Sequence, residues 1–577
     1  MKNKLTYIAA LVAISTCASF GATATERFIV KFKAPAHEVG TLSAKASARA
    51  KQTSVGQLSA AIAEDATLVR GMSGGMDVIA VAGADAQDVV EKMQASGIVE
   101  YAYPDVEVKG TPLIESKAVP TNNFQYNDPS FSEQAHFLPN SAQFKGASDI
   151  LNAQKQVVSP KSTIGVAVMD TGYFNHPDIN FNVAAGYDFI NRDNDPIDLY
   201  GSCTSGHGLA VAGIISATTN NGLNVAGIAS NVQTVPVKVI SSGCGEKSGS
   251  LSDLIDALNW IGGQPVSGVP AYSGPQINVI NMSLGVDNTN CIAPLQDAVD
   301  NLSKRGVSIV ASAGNEMAAS NANAPANCNG VINVGSVNVQ TGQIGDVSNH
   351  GSRVDIGASG EGVPTLADFT DQTVYFSGTS AAAPVVSGVL ALAYSNVTMS
   401  STEQAIGMVN SVPKLLKTTA IKMPNAAQQC DASSTESADC FNGGILDANK
   451  FVKAFTLLAD SKIERPYVKT KPEDASCAND RKDKVMSENA NLCKTIALKL
   501  AEAPQATGIG SIKLFKGADM QSLTEVATSK VSGMTIDPSA SVTDRYAFKY
   551  CDDSADDSTC SEAIPVDNKG DLSCGNI

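Results

Sequence analysis

No Cys-x-x-Cys pair occurs anywhere in the 577 residues, and the five histidines, His37, His136, His176, His207 and His350, are scattered along the chain. That excludes a zinc ribbon or finger, whose four ligands arrive in close pairs. Beyond the first two dozen residues no apolar run reaches the ~18–20 needed to cross a bilayer, so no membrane span is expected. Basic side chains are in deficit, 41 Lys and Arg against 57 Asp and Glu for a net charge of −16. Nucleic acid is thereby an unfavoured partner, because phosphate binding relies on clustered cations, and the excess acid reads as a solubility device. Low-complexity tracts and internal repeats are missing as well. Finally, no cysteine lies between Cys17 and Cys203, so the first third of the chain cannot be stapled.

What is present starts with a leader. Lys2 and Lys4 precede an apolar run at 7–14 and the small residues Ala22-Thr23-Ala24, the three parts of a secretory signal peptide. Residues 1–24 are read as that signal, with cleavage after Ala24, and the mature protein is expected to be secreted. Thr16 before Cys17 argues against a lipidated cysteine. Of twelve cysteines, removal of Cys17 leaves eleven, all from Cys203 onward. An oxidising destination favours disulfides, and one cysteine must stay unpaired or pair between chains.

Length alone implies about three units at ~100–200 residues each. Residues 25–111 alternate strand-like pieces (27–32, 77–81, 99–108) with helix-like ones (41–63, 86–93), which suits a small split βαβ sandwich. A polar linker at 116–127 follows. From about 160 the rhythm changes to β-branched runs at 164–168, 234–240, 277–282, 307–311 and 331–334, separated by helical patterns at 207–217, 251–261 and 295–302. Such runs are buried parallel strands, and the alternation defines a doubly wound α/β domain whose ligand site lies beyond the carboxyl ends of the strands. This domain is expected over 112–458. Residues 459–577 carry Cys477, Cys493, Cys551, Cys560 and Cys574 with strand-like stretches at 511–515 and 546–550, and read as a small disulfide-bearing, β-rich module.

Three residues with matched chemistry stand at element ends. Asp170 closes the strand at 164–169 ahead of Thr171-Gly172. His207, in Ser205-Gly206-His207-Gly208, opens a helix. Ser380, in Gly378-Thr379-Ser380-Ala381-Ala382-Ala383-Pro384, opens another, with Pro384 expected in its first turn. At a helix start Ser380 is beside backbone N–H groups that suit a developing oxyanion, although serine is also an ordinary helix cap. The order Asp, His, Ser is one of those in which a base-activated serine nucleophile is built.

These blocks resemble those of the subtilisin-like serine peptidases over roughly 125–458. Ser312-Ala313-Gly314-Asn315-Glu316 resembles the family's oxyanion-hole segment, and Asn281-Met282-Ser283-Leu284-Gly285 its substrate-pairing edge. The resemblance implies an endopeptidase in which His207 takes the Ser380 proton, Asp170 orients the imidazole and Asn315 donates to the oxyanion. Ser283, Leu284, Gly285 and Gly314 would line the bound peptide, and Glu316 would lie near the rim of the primary pocket. Protein or peptide substrates follow. The amino-terminal unit is similar to the family's inhibitory propeptide, with residues 106–111 in the cleft until cut; an independent small domain is the alternative. His176-Pro177-Asp178 and the loop 220–224 resemble calcium-binding segments, with Asp193, Asp195 and Asp198 as further oxygen donors, so a structural Ca²⁺ at Asp178, Asp193 and Asp195 is one reading and a solvated acidic loop the other. Cys291 with Cys328, Cys203 with Cys244 and Cys430 with Cys440 are reasonable disulfide pairs, though connectivity stays open.

Other readings compete. Asp170-Thr171-Gly172 also fits an aspartic peptidase, but no second such triplet occurs and that chemistry needs two. Leu209-Ala210 replaces the family's Thr-His, Ala381 its Met, and Ser359-Gly360 its Pro-Gly. Of these departures, Leu209 and Ala210 support a rival, a catalytically weak or inactive scaffold that binds protein ligands.

Overall fold

The computed structural model describes residues 25–33, 44–82, 85–110, 126–157, 159–198, 206–241, 249–319, 323–367, 372–430, 434 and 438–460, and the backbone of short strands after 460. The leader expected at 1–24 lies outside them. Two compact units emerge, Met1–Asp105 and Val106–Ile577.

The first unit runs β1 (Thr25–Phe32), α1 (Ala44–Ile62), β2 (Ala66–Gly71), β3 (Asp77–Ala82), α2 (Ala86–Ala95) and β4 (Val99–Pro104). Its antiparallel sheet has the order β2-β3-β1-β4. Period-two alternation puts Phe28 and Val30 on one face with Ile79 and Val81, and these meet Val55, Leu58 and Ile62 of α1 and Val89, Val90 and Met93 of α2 in a sealed core. The Asp85 carboxylate caps α2 by accepting from the Gln87 and Asp88 N–H groups. Strand β2 is absent from the sequence reading because it is an edge strand with little apolar contrast, its Val69 48% exposed. The strand expected over 99–108 ends at Pro104, and residues 106–110 group with the second unit.

The second unit continues with β5 (Lys109–Gly110), α3 (Ile150–Lys155), β6 (Gly165–Asp170), β7 (Tyr187–Asp188), α4 (His207–Ser216), β8 (Gln233–Lys238), α5 (Leu251–Ile261), β9 (Ile277–Met282) and β10 (Leu284–Asp287). Then come α6 (Ala293–Ser303), β11 (Ser308–Ser312), β12 (Asn323–Ala324), β13 (Val331–Val337), β14 (Ile356–Ser359), β15 (Val363–Leu366), β16 (Thr373–Phe376), α7 (Thr379–Ser395), α8 (Thr402–Thr419) and α9 (Ala448–Asp460). Among the described residues the central sheet has seven strands in the order β14-β13-β11-β9-β6-β8-β7. All its pairings are parallel. The five expected strands are its inner five, buried along almost their whole length, which is why they read as continuous apolar runs. The edges β7 and β14 are short and lack a β-branched run, so sequence pattern does not reveal them.

Helices α4 and α7 pack together and α7 contacts α9 and α3, whereas α5 packs on α6. This is the two-group arrangement of a doubly wound sheet. Helix α7 is buried along all 17 residues, which explains its unbroken Ala, Val and Leu character. Two expected disulfides are present, Cys291–Cys328 and Cys430–Cys440; the pairing of Cys203 with Cys244 lies outside the described residues. After 460, strand Ser511–Gly517 pairs antiparallel with Thr524–Ser529 and with Arg545–Cys551, which in turn pairs with Ile564–Pro565. Both strands expected in that region are therefore found, while its disulfides lie outside the described residues.

Candidate active site

Asp170 is the last residue of β6 and is wholly buried. Its Oδ1 lies 2.7 Å from His207 Nδ1 and also accepts from the Thr171 N–H at 2.8 Å. His207 opens α4 and is 2% exposed, its ring edge-on to Phe376 with centroids 5.2 Å apart. A second contact locks the two loops: the Thr171 hydroxyl donates to Asp198 Oδ2 at 2.8 Å and accepts from the Gly208 N–H at 3.0 Å. Any Cβ at residue 208 would stand 2.2 Å from the Gly172 carbonyl oxygen, so only glycine lets the strand end and the helix start approach this closely. A carboxylate at Nδ1 fixes the imidazole orientation and leaves Nε2 as the nitrogen for proton transfer.

Ser380 is the second residue of α7. Its hydroxyl donates to the Ser283 carbonyl at 3.2 Å, and its own carbonyl accepts from the Ser283 hydroxyl at 3.0 Å. The network extends inward, with Asn281 Nδ2 donating to Ser283 Oγ at 3.0 Å and the Ser387 hydroxyl donating to Asn281 Oδ1 at 2.9 Å. One expectation is corrected here. Pro384 is the sixth residue of the helix, not part of its first turn. Its missing N–H would have served the carbonyl four residues back, that of Ser380, and the Ser283 hydroxyl takes that acceptor instead.

Asn315 follows β11. Its Oδ1 accepts from both the Thr379 N–H, at 2.9 Å, and the Thr379 hydroxyl, at 2.8 Å, which fixes the amide orientation. The amide nitrogen Nδ2 is then buried without a hydrogen-bond partner among the described residues. A Cβ on Gly378 would stand 2.6 Å from that nitrogen, so glycine, here at φ 106°, lets the chain entering the helix approach the amide this closely. Gly314 N–H donates to Thr379 Oγ1 at 3.2 Å, tying the same loop to the same helix. The substrate-pairing edge expected at Ser283, Leu284 and Gly285 carries a strand in this structure: β10 pairs antiparallel with β5, Leu284 opposite Gly110 and Gly285 opposite Lys109. Glu316 is exposed and accepts from Asn349 Nδ2 at 2.7 Å.

The expected calcium ligands do not gather. Asp178 Oδ1 accepts from Asn221 Nδ2 at 2.8 Å and Oδ2 from the Val225 N–H at 3.1 Å, and burial pushes this carboxyl up to about 6. Asp193 and Asp195 instead close a turn on each other, the Asp195 N–H donating to Asp193 Oδ1 at 2.9 Å. Asp198 is committed to Thr171. Among the described residues no three His, Cys, Asp or Glu side chains assemble as a metal site. The departures from the family pattern fall elsewhere as well. Leu209, Ala210 and Ala381 are fully buried in the main apolar core.

Thr171, Thr379 and Asn281 escape sequence reasoning, since a lone Thr or Asn at an element end has the signal of an ordinary turn residue.

A buried Asp–His pair at strand and helix ends, a serine at a neighbouring helix start and a buried amide with an unused N–H among the described residues are carried by one parallel α/β sheet and its helices. A family model described as the subtilase family matches residues 161–449, and the chain belongs to that family. It is 34% identical over 303 residues to an extracellular protease of Xanthomonas campestris pv. campestris, covering 48% of this chain and 50% of the relative. It is 31% identical over 409 residues to an extracellular basic protease of Dichelobacter nodosus, covering 63% of this chain and 60% of the relative. The chain thus spans half to three fifths of the length of these two relatives. A solved structure of proteases from Pseudoalteromonas arctica is 32% identical, covers 57% of this chain and 99% of its own, and has a TM-score of 0.47. Among the described residues no helix is long and apolar enough to cross a membrane.

Proposed function

We propose that this chain is a secreted serine endopeptidase that hydrolyses peptide bonds in proteins through Asp170, His207 and Ser380, and that it is made as a self-processing preproenzyme. The observation that carries the reading is the buried Asp170–His207 contact of 2.7 Å beside the Ser380 helix, with one amide N–H of Asn315 held in reserve. His207 Nε2 takes the Ser380 proton as Oγ attacks the scissile carbonyl, and Asp170 stabilises the imidazolium that results. Charge developing on the carbonyl oxygen is met by Asn315 Nδ2 and the Ser380 backbone N–H, which belongs to the helix turn that lacks i−4 acceptors. The proton then passes to the leaving amine, and water cleaves the acyl-enzyme by the same steps in reverse.

Secretion is supported by the leader composition and by the relatives named extracellular proteases. Autoinhibition is supported by β5, which occupies the edge where a substrate strand would pair. The inactive-scaffold alternative rests on Leu209 and Ala210, and both are buried in the apolar core. In a protease-free host the wild type is expected to be cut near residue 111, whereas Ser380→Ala accumulates uncut. Identical cutting of both would overturn self-processing.

A further inference from the structure

Residues 196–198 are clamped onto the chain that leaves β6. The Tyr173 N–H donates to the Pro196 carbonyl at 3.1 Å, and the Asp198 N–H to the Tyr173 carbonyl at 2.9 Å. Gly172 lies between these bonds at φ 115°. A Cβ there would run into the Pro196 carbonyl oxygen and stand 3.0 Å from the Asp198 nitrogen, so the two segments meet only through glycine. Lys238, wholly buried and opposite Asp170 in the register of β6 with β8, adds a bond from Nζ to the Ile197 carbonyl at 3.0 Å. The clamp delivers one carboxylate. Asp198 is 1% exposed, and its Oδ2 accepts from the Thr171 hydroxyl at 2.8 Å.

A hydroxyl has one proton to give, and a carboxylate only accepts. Asp198 therefore fixes the direction of the Thr171 hydroxyl and leaves its lone pairs to the Gly208 N–H, 3.0 Å away. Gly208 follows His207 at the start of α4, so this bond sets where the base stands. The same choice protects Asp170. Its Oδ1 serves both His207 Nδ1 and the Thr171 N–H, while Oδ2 is buried without a hydrogen-bond partner among the described residues. A Thr171 hydroxyl released from Asp198 is free to turn to that carboxylate, and a carboxylate that accepts a further bond holds an imidazolium less strongly.

We propose that Asp198 is a positioning residue for the peptidase reaction, a second carboxylate that acts through Thr171 to set the Asp170–His207 geometry and to keep the Thr171 hydroxyl off Asp170. The inference rests on the roles proposed above for Asp170, His207 and Ser380. Misplacing reacting groups by about 1 Å costs up to ~10²-fold in rate. Asp198→Ala should therefore lower kcat by ~10–10²-fold and leave KM within about twofold, the pattern of a lost transition-state effect.

The test measures kcat and KM on an unstructured protein substrate for wild type, Asp198→Ala, Asp198→Asn, Thr171→Val and Thr171→Ser, each matured from the full chain. Active sites are counted by fluorophosphonate titration of Ser380 to completion, so that a smaller folded fraction leaves kcat unchanged. Asparagine keeps an acceptor and serine keeps the hydroxyl. Asp198→Asn and Thr171→Ser are thus expected to stay within a few fold of wild type, whereas Asp198→Ala and Thr171→Val fall together in kcat. Wild-type kcat in Asp198→Ala, a loss confined to KM, or Asp198→Asn as slow as Asp198→Ala overturns the positioning role and leaves the peptidase reading intact. If Asp198→Ala does not mature, Thr171→Val decides, because it keeps the side-chain shape, and a kcat equal to that of Thr171→Ser overturns the role. Wild type that neither cleaves nor labels overturns both.

Discussion

Ser283 holds two polar groups of Ser380, taking its hydroxyl on the Ser283 carbonyl and giving the Ser283 hydroxyl to the Ser380 carbonyl that Pro384 leaves open. Replacing it with alanine strands two buried groups, that carbonyl and Asn281 Nδ2. Ser283→Ala is expected to cost about 1–3 kcal/mol, read as a lower urea midpoint with an unchanged slope. Asn315 is a different case, since its Nδ2 has no hydrogen-bond partner among the described residues. Asn315→Ala should lower kcat by ~10²–10³, the range for removing one oxyanion-hole side-chain donor, with KM nearly unchanged. A large rise in KM with kcat preserved would instead assign Asn315 to ground-state binding. Asp170, His207, Ser380 and Asn315 were legible in the sequence because each ends a strongly patterned element. Thr171 was not, because its role depends on a 2.8 Å hydrogen bond to Asp198, between segments that no local pattern brings together.

Elements carry the site by where they end. Strand β6 and helix α4 deliver Asp170 and His207, and the close contact at Gly208 sets their spacing. Inner strands and the buried helix α7 were readable from apolar runs; β2, β7 and β14 were not, because edge strands are short or half exposed. Fully buried Leu209 fills the core beneath the base. Leu209→Ala is expected to destabilise by ~2–5 kcal/mol, a loss that thermal unfolding would register. The Cys291–Cys328 bridge closes a loop of sequence separation 37 across α6 and β11. In chain-entropy terms its removal by double alanine substitution costs about 4 kcal/mol, and a loss below 1 kcal/mol would show that the open loop stays ordered in the unfolded chain.

The whole molecule couples these parts through stability and through the chemistry. His136 is buried against Phe137, and burial pushes its imidazole down to about 3. Unfolded, it titrates near the ordinary ~6.5, so between these values the unfolded chain binds the extra proton. The stability involved is present above about pH 6.5 and is lost as pH falls toward 3. Replacement by phenylalanine should flatten that loss in urea titrations at pH 7.5 and 5. The central claim, that Ser380 is a nucleophile activated by His207 and Asp170, has a more direct test. Wild type, Ser380→Ala and His207→Ala are treated with a fluorophosphonate at neutral pH and the adduct is located by tandem mass spectrometry. An adduct on Ser380 of the wild type, lost in Ser380→Ala and strongly reduced in His207→Ala, is the predicted result. An unlabelled Ser380 in folded wild-type protein, or equal labelling without His207, would contradict it.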